Sequence, residues 1–195
     1  RYNFSFRNTT NFLNNKFILD TSANYIIQND KNMVSQGQYF NPLTSLYLFP
    51  RGEDFSDVTV YERYDDLSGV NTQYWPYGDL GGVSSQNPYW IMNRMNREND
   101  RRRYKLAASL QYNIIDGLNV QGRVSIDNTE SKYTEKFHAG TVGNFAGSKG
   151  RYKEENRLDR QVYADVLANF NKTFNEFNVT ANLGASIKDL RMELT

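Results

Sequence analysis

The residue types in this sequence best suited to chemistry are aromatic. Trp75, Tyr77, Tyr89 and Trp90 cluster in the first half of the chain. Flat Trp and Tyr rings stack on the apolar faces of sugar rings, and their N–H and O–H groups give each platform a polar handle. The same rings could form the core that holds a long loop together. Both roles stay open at this level, and these four are the candidate substrate-binding residues.

Other constellations point away from catalysis. Glu53, Asp54, Asp57, Glu62, Asp65 and Asp66 precede the aromatic cluster. A glycosidase needs two carboxyl groups at a fixed separation, and a calcium loop needs oxygen ligands at set intervals. Nothing fixes the first, and no calcium-loop spacing is present. His138 is the only histidine, so neither a histidine-rich metal site nor a Ser-His-Asp triad is expected. Zero Cys excludes disulfides, thiolate metal sites and a cysteine nucleophile. Gly147-Ser148-Lys149, within the stretch from Gly143 to Gly150, suggests a phosphate loop. Ser148 separates the Gly from the Lys, and Gly150 stands where Ser or Thr is required. No catalytic residue, metal ligand or cofactor is expected, and the chain does not read as an enzyme.

Charge narrows the partners. Lys plus Arg number 23 against 22 for Asp plus Glu, a formal net charge of +1, which argues against nucleic acid. The densest basic run, Arg94, Arg97, Arg101, Arg102, Arg103 and Lys105, is interrupted by Glu98 and Asp100. It reads as a solvated strand end near anionic lipid headgroups. Mean hydropathy is −0.74, and no stretch approaches the ~20 apolar residues of a transmembrane helix.

The elements that must carry these residues show period two. Tyr2, Phe4 and Phe6 alternate with Asn3, Ser5 and Arg7; Phe17, Leu19, Ala23, Tyr25 and Ile27 share a face. Leu106 to Ile114 and Leu118 to Ile126 repeat the pattern on even numbers. Val162 to Phe170 is then followed by Phe177 to Ile187 on odd numbers. Three hairpins are predicted, at 2–28, 103–133 and 157–188, separated by long loops at 29–102 and 135–156. Parity sets the turns. The middle hairpin keeps its parity and calls for a three-residue loop, Ile115-Asp116-Gly117, pairing Ile114 with Leu118. The outer two switch parity and call for even-length loops near Asn11 to Asn14 and Lys172 to Asn175. One short helix is predicted inside the first long loop, with Asn41 as N-cap, Pro42 at its first position and Leu43, Leu46 and Tyr47 on one face.

Strands of about 12 to 15 residues exceed the usual ~5–6. Tight turns alternating with long loops is the build of an outer-membrane barrel, whose apolar face meets lipid and whose polar face lines a wet lumen. Alternation reads identically in a soluble sandwich, so an antiparallel domain binding carbohydrate through its aromatic loop remains the alternative. Six strands leave two open edges, and single-chain barrels begin at 8. The expectation is therefore a piece of a larger barrel. The predicted fold is all-β, an antiparallel up-and-down meander of about six long strands, a partial transmembrane β-barrel with long extracellular loops.

A family resemblance runs through nearly the whole chain. Its residues are Arg1-Tyr2-Asn3-Phe4-Ser5, Ala23-Asn24-Tyr25-Ile26, Phe49-Pro50-Arg51-Gly52-Glu53-Asp54-Phe55 and Gln86-Asn87-Pro88-Tyr89-Trp90. Tyr112-Asn113-Ile114, Leu118-Asn119-Val120-Gln121-Gly122-Arg123, Asp127-Asn128, Asn169-Phe170-Asn171-Lys172 and Leu183-Gly184-Ala185-Ser186-Ile187 follow. In this order the segments resemble an internal barrel portion of the SusC/RagA-type TonB-linked outer-membrane transporters of the Bacteroidota. The resemblance implies a large plugged barrel. It also implies location in the cell outer membrane, a SusD-like surface lipoprotein as partner, and contact with TonB through an N-terminal part outside this sequence. Oligosaccharides, or in some cases peptides, would be the substrate.

Overall fold

The computed structural model describes residues 1–33, 39–80, 83–142 and 145–195. Its strands are β1 (Tyr2–Phe12), β2 (Phe17–Lys31), β3 (Glu62–Asp65), β4 (Val70–Gln73), β5 (Asp79–Leu80), β6 (Val83–Ser84), β7 (Met95–Ile115), β8 (Leu118–Phe137), β9 (Arg151–Phe174) and β10 (Phe177–Leu194). Two short helices, α1 (Pro42–Tyr47) and α2 (Pro88–Arg94), and a 3-10 turn at Phe55–Thr59 lie between β2 and β7. Six strands form one antiparallel sheet in the order β1-β2-β7-β8-β9-β10. The meander is present. The sheet is open, with β1 and β10 as its edges, so no closed barrel is formed by these strands.

Parity decided the outer hairpins as expected. Phe12 pairs with Phe17 across a four-residue turn, and Phe4 faces Tyr25. Leu13, Asn14 and Asn15 take positive φ there. Phe174 pairs with Phe177 across Asn175-Glu176, and Ala168 faces Leu183. The middle hairpin keeps the expected parity, since Arg103 reaches Asp127 and Arg101 reaches Ser131, odd to odd across β7 and β8. Strand β7 continues through Ile115, and only Asp116-Gly117 lies between it and β8. Gly117 holds φ +83, the left-handed conformation that the expected loop asks of it. The strands also run further than the alternation suggested, to 21, 20, 24 and 18 residues for β7 to β10.

The chain divides into two compact units. Arg1–Gln28, Asp100–Ser131 and Asn156–Thr195 form a sheet unit; Asn29–Asn99 and Lys132–Glu155 form a loop unit. In the sheet unit the two faces differ chemically. Side-chain contacts between Arg7 and Asp20, Arg101 and Ser131, Arg103 and Asp127, Arg123 and Asp165, and Asn119 and Asn169 gather the polar residues on one face. The other face carries the alternating apolar residues, and none of them is buried: Leu110 is 44%, Ile187 72% and Leu183 77% accessible, while others such as Leu118 and Val162 are half-buried.

That apolar face is a band with edges. On β10 it runs from Phe177 to Ile187, and Asp189, Arg191 and Glu193 follow on the same face. On β9 it stops at Val162, with Arg160 next; Val162 pairs with Asp189 and Arg160 with Arg191. On β7 the change falls between Tyr104 and Arg102, and on β8 between Ile126 and Asn128. Aromatics mark its turn end. Phe12 stacks on Phe17 at 5.6 Å and Phe17 on Tyr112 at 4.5 Å.

The loop unit has the core. Every buried hydrophobic side chain among the described residues (Val58, Trp90, Ile91, Met95, Phe137 and Ala146) belongs to it. Phe40, Tyr61 and Phe145 pack against its main cluster. The expected helix is present as α1, with the Asn41 side chain accepting from Leu43 N at 3.0 Å. Its expected apolar face is not the buried one. Ser45 is buried, while Leu43, Leu46 and Tyr47 are exposed.

Candidate functional site

The three half-buried members of the predicted aromatic set join a continuous row of rings. Trp75 meets Tyr77 edge-on at 5.0 Å, Tyr77 meets Phe49 at 4.9 Å, and Phe49 meets Phe55 at 5.3 Å. Phe55 reaches Tyr89 at 6.5 Å, and Tyr89 lies nearly parallel to Tyr61 at 6.4 Å. Edge-to-face contacts of this kind contribute about 0.5–1.5 kcal/mol each beyond area burial. The row therefore supports itself. The Trp75 indole Nε1 donates to Ser85 Oγ at 2.8 Å and to the Gly78 carbonyl at 3.1 Å, so its polar handle is engaged. Burial first, then the carboxylates of Glu53 and Asp57, push the Tyr77 phenol up from its ordinary value. It stays an O–H at neutral pH and can both donate and accept.

Trp90 is a correction to the sequence reading. It is wholly buried, and its Nε1 donates to Thr141 Oγ1 at 3.1 Å, whose hydroxyl in turn donates to the His138 carbonyl. No ligand can reach it. Adjacent residues on one short helix thus serve opposite ends: Tyr89 faces the aromatic row and Trp90 the core.

What places both is Asn87, which the sequence reading quoted but gave no role. Its side-chain oxygen accepts from Tyr89 N at 2.9 Å and caps α2, with Pro88 following at the first helical position. Its Nδ2 donates to the carbonyls of Val58 at 2.9 Å and Tyr74 at 3.1 Å, and its own backbone N–H donates to Gln73 Oε1 at 2.7 Å. One buried amide therefore ties the 3-10 turn, the end of the β3–β4 hairpin and α2 together. The signal was readable: Asn87-Pro88 repeats the Asn41-Pro42 pair that located α1.

The remaining candidates have structural work. Asp54 caps the 3-10 turn through Ser56 N, and Asp65 caps a turn through Leu67 N. Glu62 accepts two hydrogen bonds from Arg94, at 2.7 and 2.8 Å, and that guanidinium holds its carboxyl below the usual range. The basic run is dispersed by strand geometry: Arg94 pairs with Glu62, Arg97 donates to the Met33 and Phe40 carbonyls, and Arg103 pairs with Asp127. Of the glycine-rich stretch, Gly143 lies outside the described residues, while Gly147 and Gly150 bridge each other.

No family model and no curated protein matches this chain.

Proposed function

We propose that this chain is a barrel segment of a SusC/RagA-like, TonB-linked outer-membrane transporter that imports oligosaccharides, or peptides, with a SusD-like surface lipoprotein. The observation that carries the reading is the unburied apolar face of a sheet unit that, among the described residues, holds no buried hydrophobic side chain. Leaving one Leu or Ile in water forgoes roughly 1.5–3 kcal/mol of burial. Several on one face would consume the ~5–15 kcal/mol by which a domain is stable. Lipid removes that cost.

Three further features support it. The apolar band spans about 9–11 residues on β7 to β10, the length a tilted strand needs to cross a bilayer's hydrocarbon layer. Its end turns charged on strand after strand, as a headgroup boundary requires. Stacked aromatics at the other end match an interfacial girdle. In this reading the open edges β1 and β10 pair with further strands, and the loop unit faces the cell exterior. The row Trp75, Tyr77, Phe49, Phe55 and Tyr89 is then the surface on which sugar rings stack.

Flotation separates this from the soluble alternative. Refolded in the presence of lipid vesicles, the chain should float with them and require detergent once they are dissolved. A monomeric chain that remains in the aqueous fraction without detergent would instead support the soluble carbohydrate-binding domain.

A further inference from the structure

The polar face of the sheet unit carries an uncompensated positive charge, and this assigns a substrate class. Its strand carboxylates are Asp20, Asp127, Asp159 and Asp165. Each is already held by an arginine of the same face: Arg7 at 2.9 Å, Arg103 at 2.8 Å, Arg157 at 2.8 Å and Arg123 at 2.8 Å. Arg101, Lys105 and Lys188 are in excess of these pairs, with Lys105 also acting on the Asp127 carboxylate that Arg103 holds. Arg101 Nε donates to Ser131 Oγ, a neutral partner. Lys105 shares a shallow depression with Arg7 and Asn24, and Lys188 pairs across the ladder with Tyr163. The whole chain is only +1, so carboxylates outside this face offset the surplus.

Between the cations the face presents amides. Asn3 bonds Asn24, Asn119 bonds Asn169, and Gln111 bonds Asn113. Side-chain amides offer donors and acceptors matched to sugar hydroxyls. Guanidinium and ammonium groups set among them match carboxylate or sulfate substituents. In a wet, walled space, charge of one sign also raises the local concentration of the opposite ion, as basic rings do in anion pores.

We infer that this face forms a wall selecting acidic oligosaccharides, those bearing uronic carboxylates or sulfates, over neutral ones. The inference rests on the transporter reading for the wall's setting, and its chemistry is tested separately.

The test uses the full chain in detergent micelles, with circular dichroism confirming sheet content. Binding is measured for hexagalacturonate, for maltohexaose and for hexaglutamate at low and high salt. The expected result is a preference of about tenfold for hexagalacturonate over maltohexaose at low salt, fading as salt rises. The triple variant Arg101→Gln, Lys105→Gln, Lys188→Gln should lose most of that preference. The variant Arg102→Gln, Arg160→Gln, which removes cations from the opposite face, should keep it. Equal binding of the two sugars, or of neither, overturns the inference, as does an equal loss in the opposite-face variant. Hexaglutamate binding as tightly as the acidic sugar overturns the assignment to carbohydrate. A chain that stays in solution without detergent defeats the transporter reading and leaves the sugar comparison to be read in plain buffer.

Discussion

Asn87 and Trp90 show how much a single side chain decides in the loop unit. Truncating Asn87 removes a helix cap and leaves the Val58 and Tyr74 carbonyls without their donor in a buried site. Asn87→Ala should cost the loop unit about 2–3 kcal/mol. Hydrogen exchange should show the amides of α2 and the 3-10 turn losing protection together, while strands β9 and β10 keep theirs. The Glu62–Arg94 pair adds a pH dependence with a definite sign. The folded state holds Glu62 below its unfolded value, so the pair's contribution is present at neutral pH and is lost as pH falls through the depressed value. Arg94→Met should lower stability by about 1–2 kcal/mol at pH 7. Tryptophan-monitored unfolding should find that deficit shrinking towards pH 3, and an undiminished deficit there would contradict this account. Residue types alone could not separate Trp75 from Trp90. Both are loop aromatics with the same two possible roles, and only the packing of α2 turned one inward.

At the scale of elements, alternation was a reliable guide where the strand backbone repeats regularly. Even-length turns followed from the parity switch, and Phe12–Phe17 and Phe174–Phe177 closed as that switch demands. The middle turn kept its parity, and Gly117 at φ +83 supplies the left-handed residue that such a turn wants. A Cβ there would also lie 2.5 Å from the Asn171 carbonyl oxygen, and the Gly117 carbonyl accepts from Asn171 N at 2.7 Å. Gly117→Ala should therefore destabilise the sheet by at least about 1 kcal/mol and slacken the β8–β9 junction. Urea titration of the refolded chain measures the first effect, and hydrogen exchange at Asn171 the second. Legibility failed in the long connection between β2 and β7. Its helices are one or two turns long, too short for a period to emerge, so only their caps announce them. The cap of α1 was read and the equivalent cap of α2 was not. The exposed side of α1 shows the other limit, since which face of a six-residue helix is buried depends on neighbours distant in sequence.

The whole molecule puts its hydrophobic residues in two places under opposite rules. In the loop unit they are buried around Trp90 and Met95; in the sheet unit they line a face that none of the described residues buries. Sequence alternation revealed that the sheet has an apolar side and could not say whether protein or lipid meets it. The central claim is that lipid does. The chain has no cysteine, so single Cys replacements at each position from Leu106 to Asn113 of β7 give unique labelling sites. With a fluorophore at each site in reconstituted vesicles, quenching by brominated lipid chains and by aqueous iodide can be compared. The account predicts strict alternation, with positions 106, 108, 110 and 112 quenched by the lipid and 107, 109, 111 and 113 by iodide. Even positions quenched by neither would mean the apolar face packs against protein, and would contradict it.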